Sequence, residues 1–425
     1  RSLVAPRMHL TSLARLNRLA RFSVVSMSTI SRRMEVTDAP VIVSMQQMLR
    51  GKEGILSLAQ GIVHWSPPDE AMQAARAAVD EANTSLYCAD DGLAELRAAL
   101  KLKLAEQNGI VASEVMVTAG ANQAYTNVVL ALLDAGDPAM LFRPYYFNHL
   151  MALQMTGSAA EVVLPPSAPD LLPDIEQLRA ELTARAADGR RQVKMVTLVN
   201  PGNPTGVMIP RATIAAFSEL CAEFGVWLVL DNTYEHFCYA GEAEHSCLEA
   251  PHIINVFSFS KAYGMMGWRV GYVAFPPELS LQLLKAQDTI VICPAVMSQK
   301  VALGALRPGR AWVDERVAAL AEQKALVLDA LSPLGTGAVR GGSGAIYLFV
   351  RLPEGCADDA AVVRWLTEAH GVCLIPGSGC GLPGHVRVCY ANLSLEKTRE
   401  AAKRLRAGLT ELVAGGVDLT SGDKF

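Results

Sequence analysis

A chain of 425 residues, 51% hydrophobic and 19% charged, is too long for one simple core and too apolar to be disordered, so it should fold as two unequal globular domains. A formal net charge of −4 gives no sign of a nucleic-acid partner. Nine cysteines lie singly, with no Cys-x-x-Cys pair and no zinc-type His/Cys spacing, and no apolar run reaches the length of a membrane span. A disulfide framework, a metal centre and a membrane anchor are set aside; the expectation is a soluble protein of a reducing compartment.

Residues 1–34 stand apart, with seven arginines, six serines and no acidic residue before Glu35. That composition is the signature of an organellar transit peptide, which would send the protein to a chloroplast or mitochondrion. Initiation at Met27 would instead leave a short tail on a cytoplasmic protein. Without those arginines, 31 basic side chains face 42 acidic ones, a net charge of about −11.

Next comes an N-terminal arm, 35–75. Its stretch Gly61-Ile62-Val63-His64-Trp65-Ser66-Pro67-Pro68 reads as a loop able to approach a ligand closely, with a plain turn as the alternative. Tyr87 precedes a turn and a helical pattern ending near Gln107. Seven apolar runs of strand length follow: 115–118, 139–143, 161–164, 194–199, 226–230, 254–257 and 270–275. Helical patterns at 124–133, 175–185 and 211–224 fall between several of them, which predicts an α/β fold with a mostly parallel sheet of seven strands. The last strand follows its neighbour too closely for a crossover helix and should be antiparallel.

The connections hold the polar residues. Gly120, Ala121 and Asn122 join a strand to a helix, whose free N–H groups and positive dipole end suit a phosphate. Asn200-Pro201-Gly202-Asn203-Pro204-Thr205-Gly206 is crowded with turn formers that fix the backbone around Asn203. Asp231 and Tyr234 lie at the C-terminal end of the 226–230 run, where open α/β sheets place their ligands. Lys261 sits just past another apolar run, preceded by Ser258 and Ser260 and followed eight residues later by Arg269. Such a lysine is either a strand-end charge reaching for solvent or a desolvated amine suited to Schiff-base chemistry. Trp268 and Met265–Met266 read as core packing.

The remaining chain, 311–425, predicts a smaller α+β domain, with helices at 311–331, 360–368 and 395–412 and strands near 345–352 and 386–390. Gly377-Ser378-Gly379-Cys380-Gly381 lacks the spacing of a dinucleotide fingerprint and reads as a loop. Arg387, flanked by valines, wants a carboxylate for its planar fork, either a structural Asp/Glu or one carried by a substrate.

Ser258-Phe259-Ser260-Lys261 with Arg269-Val270-Gly271, the Asn-Pro-Gly-Asn-Pro run and Pro144-Tyr145-Tyr146-Phe147-Asn148 together resemble the class I/II aminotransferases, from roughly Leu56 to Leu412. Within that family the motifs look most like the plant aromatic aminotransferases, which use methionine or aromatic amino acids with aromatic 2-oxo acids. The resemblance implies a fold-type I pyridoxal-phosphate (PLP) dependent transferase, with a large PLP-binding domain at 76–310. It implies that Lys261 forms the Schiff base with PLP and then moves the substrate Cα proton, and that Asp231 pairs with the ring nitrogen. Asn203 and Tyr234 would donate to the phenolic oxygen, and Tyr146 would stack on the ring. Ser258, Arg269, Gly120, Ala121 and Asn122 would hold the phosphate, joined by Tyr87 from the partner of a homodimer. Gly61, Trp65 and Arg387 would meet the substrate, with Arg387 taking its carboxylate.

The partners implied are small molecules, an amino acid and a 2-oxo acid. The stretch Asp288–Met297, whose counterpart lies near the substrate in the family, has no basic residue to receive a second carboxylate. With Trp65, Tyr125 and Tyr263 nearby, that predicts an apolar or aromatic side chain. Rival readings are a PLP-dependent C–S lyase or aminocyclopropane-carboxylate synthase of the same fold, a PLP-sensing regulator, for which no DNA-binding module is visible, and an inactive scaffold.

Overall fold

The computed structural model describes residues 30–158, 161–415, 417 and 419; the basic stretch 1–34 therefore lies, apart from its last five residues, outside the described part. Among the described residues thirteen strands run in chain order: β1 (Leu56–Ser57), β2 (Glu114–Thr118), β3 (Ala139–Leu141), β4 (Val162–Val163), β5 (Met195–Val199), β6 (Trp227–Asp231), β7 (Ile253–Ser258), β8 (Gly271–Phe275), β9 (Val339–Arg340), β10 (Tyr347–Arg351), β11 (Val372–Cys373), β12 (Ile375–Pro376) and β13 (His385–Cys389).

Seven of them make one sheet in the order β2-β8-β7-β6-β5-β3-β4. Strand β8 runs antiparallel to both neighbours and every other pair is parallel, as the short β7–β8 connection predicts. Both faces are covered. On β6, Val229 points into the cluster built with helix Ala121–Leu132, while Leu228 and Leu230 point into the one built with helices Ile175–Ala187 and Arg211–Phe224. Burial on both sides is why these strands read as unbroken apolar runs rather than alternating ones.

A second, antiparallel sheet has the order β12-β13-β10-β9 and packs among helices Arg310–Ala330, Asp359–His370 and Leu395–Ala414. Strand β1 of the N-terminal arm pairs in parallel with β11 in a separate two-stranded sheet. Two-residue strands such as β1, β9, β11 and β12 carry too little pattern to be read from sequence. The glycine-rich run at 377–381, expected to be a loop, closes into a single 3-10 turn at Gly377–Cys380. Among the described residues no helix is long and apolar enough to cross a membrane.

Candidate active site

The C-terminal ends of β5, β6 and β7 open on a cavity of roughly 260 Å³ between the two sheets. Its wall brings together Gly61, Ala121, Asn122, Tyr146, Asn203, Asp231, Tyr234, Ser258, Lys261, Arg269 and Arg387. These residues span more than three hundred positions of chain, and the fold gathers them at one place.

Lys261 follows β7 directly, and its amine donates to the Gly61 carbonyl. Burial, with lesser contributions from the Arg387 and Arg269 charges, brings that amine down to about 8. Near neutrality a useful fraction is therefore uncharged and nucleophilic. Asp231 ends β6. Burial pushes its carboxyl up, but donors outweigh it: His149 Nε2 lies 3.1 Å from Oδ2 and the Thr233 N–H donates at 2.9 Å, so the group is held below its ordinary value and stays anionic. Burial and then the neighbouring Tyr347 push the Tyr234 phenol well above its ordinary value, so it keeps its proton.

One end of the cavity is built for an anion. Gly120, at φ 87°, begins helix Ala121–Leu132, and a side chain there would meet the Arg269 guanidinium at 2.4 Å. Only glycine lets that cation settle against the helix N-terminus, with the Ser258 and Ser260 side chains on the same wall. At the other end Arg387 is buried; it donates to Asn203 Oδ1 and to the Ala59 carbonyl, both at 2.8 Å, and its Nε has no partner. Arg387 lines the cavity, and a buried guanidinium with no carboxylate partner suits an incoming one. Asn203 gives its oxygen to Arg387, which leaves its amide nitrogen as a donor.

The aromatic residues expected beside the substrate are placed elsewhere. The Tyr125 ring is fully buried, stacked on His149 at 4.0 Å with its hydroxyl 2.9 Å from Thr197, behind the cavity rather than in it. Tyr263 packs on Phe259 and His236 in the core. Trp65 turns its indole N–H to the Ala262 carbonyl at 3.2 Å and stacks on Phe237 instead of facing the site. Tyr87 stands 78% exposed on the surface, away from its own chain's cavity. The 288–297 stretch likewise presents Ile290 and Ile292 outward. Gly61 approaches closely, but what it approaches is Tyr347, whose hydroxyl would be 1.9 Å from any added Cβ.

A family model described as "Aminotransferase class I and II" matches residues 53–405, which takes in every one of these wall residues. The chain belongs to that family. This aminotransferase is 46% identical over 395 residues to "Aromatic aminotransferase ISS1" of Arabidopsis thaliana, covering 92% of this chain and 99% of that one. It is 31% identical over 388 residues to the "Aspartate/prephenate aminotransferase" of Thermus thermophilus, covering 89% and 98%. Among solved structures, a single mutant of Thermus thermophilus aspartate aminotransferase superposes with a TM-score of 0.80 at 30% identity, covering 90% of this chain and 100% of that one. The aromatic aminotransferase from Pyrococcus horikoshii OT3 gives 0.76 at 28% identity, covering 86% and 99%. The fold is that of the fold-type I PLP enzymes, and within it this aminotransferase is most like the plant aromatic enzymes.

An aminotransferase of this family works with PLP on small molecules, and the residues present fit the cofactor: a cationic phosphate seat, a buried carboxylate, an amine of lowered basicity and two hydrogen-bond donors around one cavity. Among the wall residues that sequence reasoning missed, two bear directly on the chemistry, His149 and Tyr347. His149 follows the Pro144–Asn148 run by one position, and only its contact with Asp231 reveals it. Tyr347 was hidden in an ordinary strand pattern.

Proposed function

We propose that this aminotransferase exchanges the amino group of an apolar or aromatic amino acid, such as methionine, phenylalanine, tyrosine or tryptophan, with an aromatic 2-oxo acid. The observation that carries this is the charge inventory of the cavity. Among the described residues Lys261, Arg269 and Arg387 are its lysines and arginines, and each has a task, so none of these is left for a side-chain carboxylate. Ile42, Ile62 and Phe147 supply apolar wall instead. Burying such a side chain is worth about 1.5–3 kcal/mol, enough for preference without exclusivity. The Arabidopsis relative's name points the same way.

In this reading Ala121, Asn122, Ser258, Ser260 and Arg269 hold the phosphate, Tyr146 covers the ring, and Asp231, kept anionic by His149, pairs with the ring nitrogen. Asn203 and Tyr234 donate to the phenolic oxygen, and Lys261 is the residue of covalent attachment. When bound, PLP supplies an electron sink for the bond being broken at the amino acid's Cα. Arg387 grips the substrate carboxylate and fixes the direction of the Cα–H bond. The Lys261 amine then takes the Cα proton and returns it, its lowered basicity suiting both halves of that transfer.

Exposed Tyr87, with Leu86, Ile290 and Ile292 also outward, supports a homodimer in which Tyr87 reaches the phosphate seat of the partner subunit. The division into a large unit at 76–310 and a small one made of 35–75 with 311–425 belongs to the same proposal, supported by the β1–β11 pairing. A panel of single amino acids with phenylpyruvate as acceptor tests the substrate reading: methionine and aromatic donors should lead, and a clear preference for aspartate would refute it.

A further inference from the structure

Tyr347 stands where three parts of the site meet. It lies on β10 of the second sheet, whereas Tyr234 follows β6 of the first, yet the two hydroxyls are 2.5 Å apart and both side chains are buried. Its ring lies beneath Arg387, with the guanidinium carbon 4.4 Å from the ring centre. Its hydroxyl also presses on Gly61, the residue whose carbonyl receives the Lys261 amine. The Tyr347 ring therefore touches the carboxylate-binding end, and its oxygen touches the proton-handling end.

Two hydroxyls this close share one proton between them, and its direction matters. Among the described residues the Tyr347 hydroxyl has a single acceptor, the Tyr234 oxygen. A buried hydroxyl does not leave its proton unpaired when an acceptor is in reach. Donation from Tyr347 to Tyr234 leaves the Tyr234 proton free to point into the cavity it lines. Donation the other way would send the proton of Tyr347, itself on the cavity wall, into the cavity and leave Tyr234 facing it as an acceptor, the reverse of the role the functional reading gives Tyr234. A hydroxyl that accepts one hydrogen bond also donates a stronger one.

We propose that Tyr347 is a positioning residue for transamination: its hydroxyl donates to Tyr234 and so aims the Tyr234 proton into the cavity, while its ring supports Arg387. This rests on the functional reading above and adds a residue to it. Carboxylate capture and proton placement then share one side chain, carried on the strand that pairs with the Arg387 strand, Phe349 lying opposite Arg387 in register.

The two functions of the side chain can be separated by substitution. Tyr347→Phe keeps the ring and removes the hydroxyl; Tyr347→Leu removes both. Each would be purified with its cofactor, beside the wild type and Tyr234→Phe, and read in two ways that do not depend on turnover. The first is the pH midpoint at which the bound cofactor's visible absorbance titrates. The second is the dissociation constant of a non-reacting carboxylate, 3-phenylpropionate. A donor to the phenolic oxygen favours its anionic form and lowers that midpoint, so Tyr347→Phe should raise it by about half a unit, less than Tyr234→Phe does. Carboxylate affinity should stay within about twofold in Tyr347→Phe and fall by about tenfold in Tyr347→Leu. A purely structural role would not move the midpoint while sparing carboxylate affinity. A midpoint unchanged by Tyr347→Phe but moved by Tyr234→Phe overturns the inference alone, and so does full carboxylate affinity in Tyr347→Leu. If Tyr347→Leu does not fold, the Tyr347→Phe midpoint decides by itself. A wild type with no titrating visible band overturns the reading of the cavity, and this inference with it.

Discussion

Replacing Lys261 with methionine should make the cofactor-free protein more resistant to urea at pH 7, because the native amine is held in a place that suits its neutral form. Its value falls from 10.5 to about 8 on folding, chiefly through burial. The folded-state value lies below the unfolded one, so between pH 8 and 10.5 the unfolded chain binds more protons and stability rises with pH. Below pH 8 the full cost is present, about 3 kcal/mol at roughly 1.4 kcal/mol per unit. Methionine removes that cost, and it also leaves the Gly61 carbonyl without its donor. The second effect does not depend on pH, so the informative quantity is the difference between two pH values. At pH 7 the burial gain is about 3 kcal/mol, and at pH 10 it has shrunk to about 1 kcal/mol. Urea titrations of both proteins, stripped of cofactor and followed by fluorescence, would measure it. A stability difference between wild type and variant that is equal at pH 7 and pH 10 would refute the claim that this amine is desolvated.

His149→Phe should weaken PLP binding by about tenfold to a hundredfold, the worth of a hydrogen bond to a buried carboxylate, since Asp231 would keep only its bonds from Thr233. Equilibrium dialysis against free cofactor would show it, and unchanged affinity would remove His149 from the site. Lys103 and Glu235 form a buried ion pair at 2.5 Å just beyond the Asp231–Tyr234 turn, where Glu235 is held at about 2: burial raises it, but the Lys103 charge and the nearby histidines prevail. Lys103→Met should cost about 3–5 kcal/mol by stranding that carboxylate, and the double change Lys103→Met with Glu235→Gln should recover more than half. Urea denaturation of the three proteins decides it; equal losses in the single and double variants would count against the pairing.

The large sheet was legible because its central strands are covered on both faces, so β5, β6 and β7 appear as apolar runs ending at polar turns. Asp231, Asn203 and Lys261 were legible for the same reason: each stands at the end of such a run, where polar residues have no packing role. Residues whose meaning lies in a partner far along the chain were not. His149 acquires its place from Asp231, 82 positions on, and Tyr347 from Tyr234, 113 positions back. Aromatic residues misled in the opposite direction. Tyr125 and Tyr263 neighbour site residues in the chain, but helix and loop geometry turns them into the core. Tyr125 still contributes by stacking on the ring that supports Asp231.

Strand β1 finds its hydrogen-bonding neighbour in β11, and the Ala59 carbonyl accepts from Arg387 across 328 positions of sequence. During synthesis the ribosome releases the arm long before it makes the residues the arm must pair with. The large sheet can collapse while the chain is still growing, because its strands are complete by Phe275. The arm has to wait, its Leu58 and Ala59 exposed to water, until β13 emerges. Assembly of a working pocket is therefore one of the last events in the life of the nascent polypeptide, and a message truncated before the codon for Arg387 yields a sheet with nothing to close it.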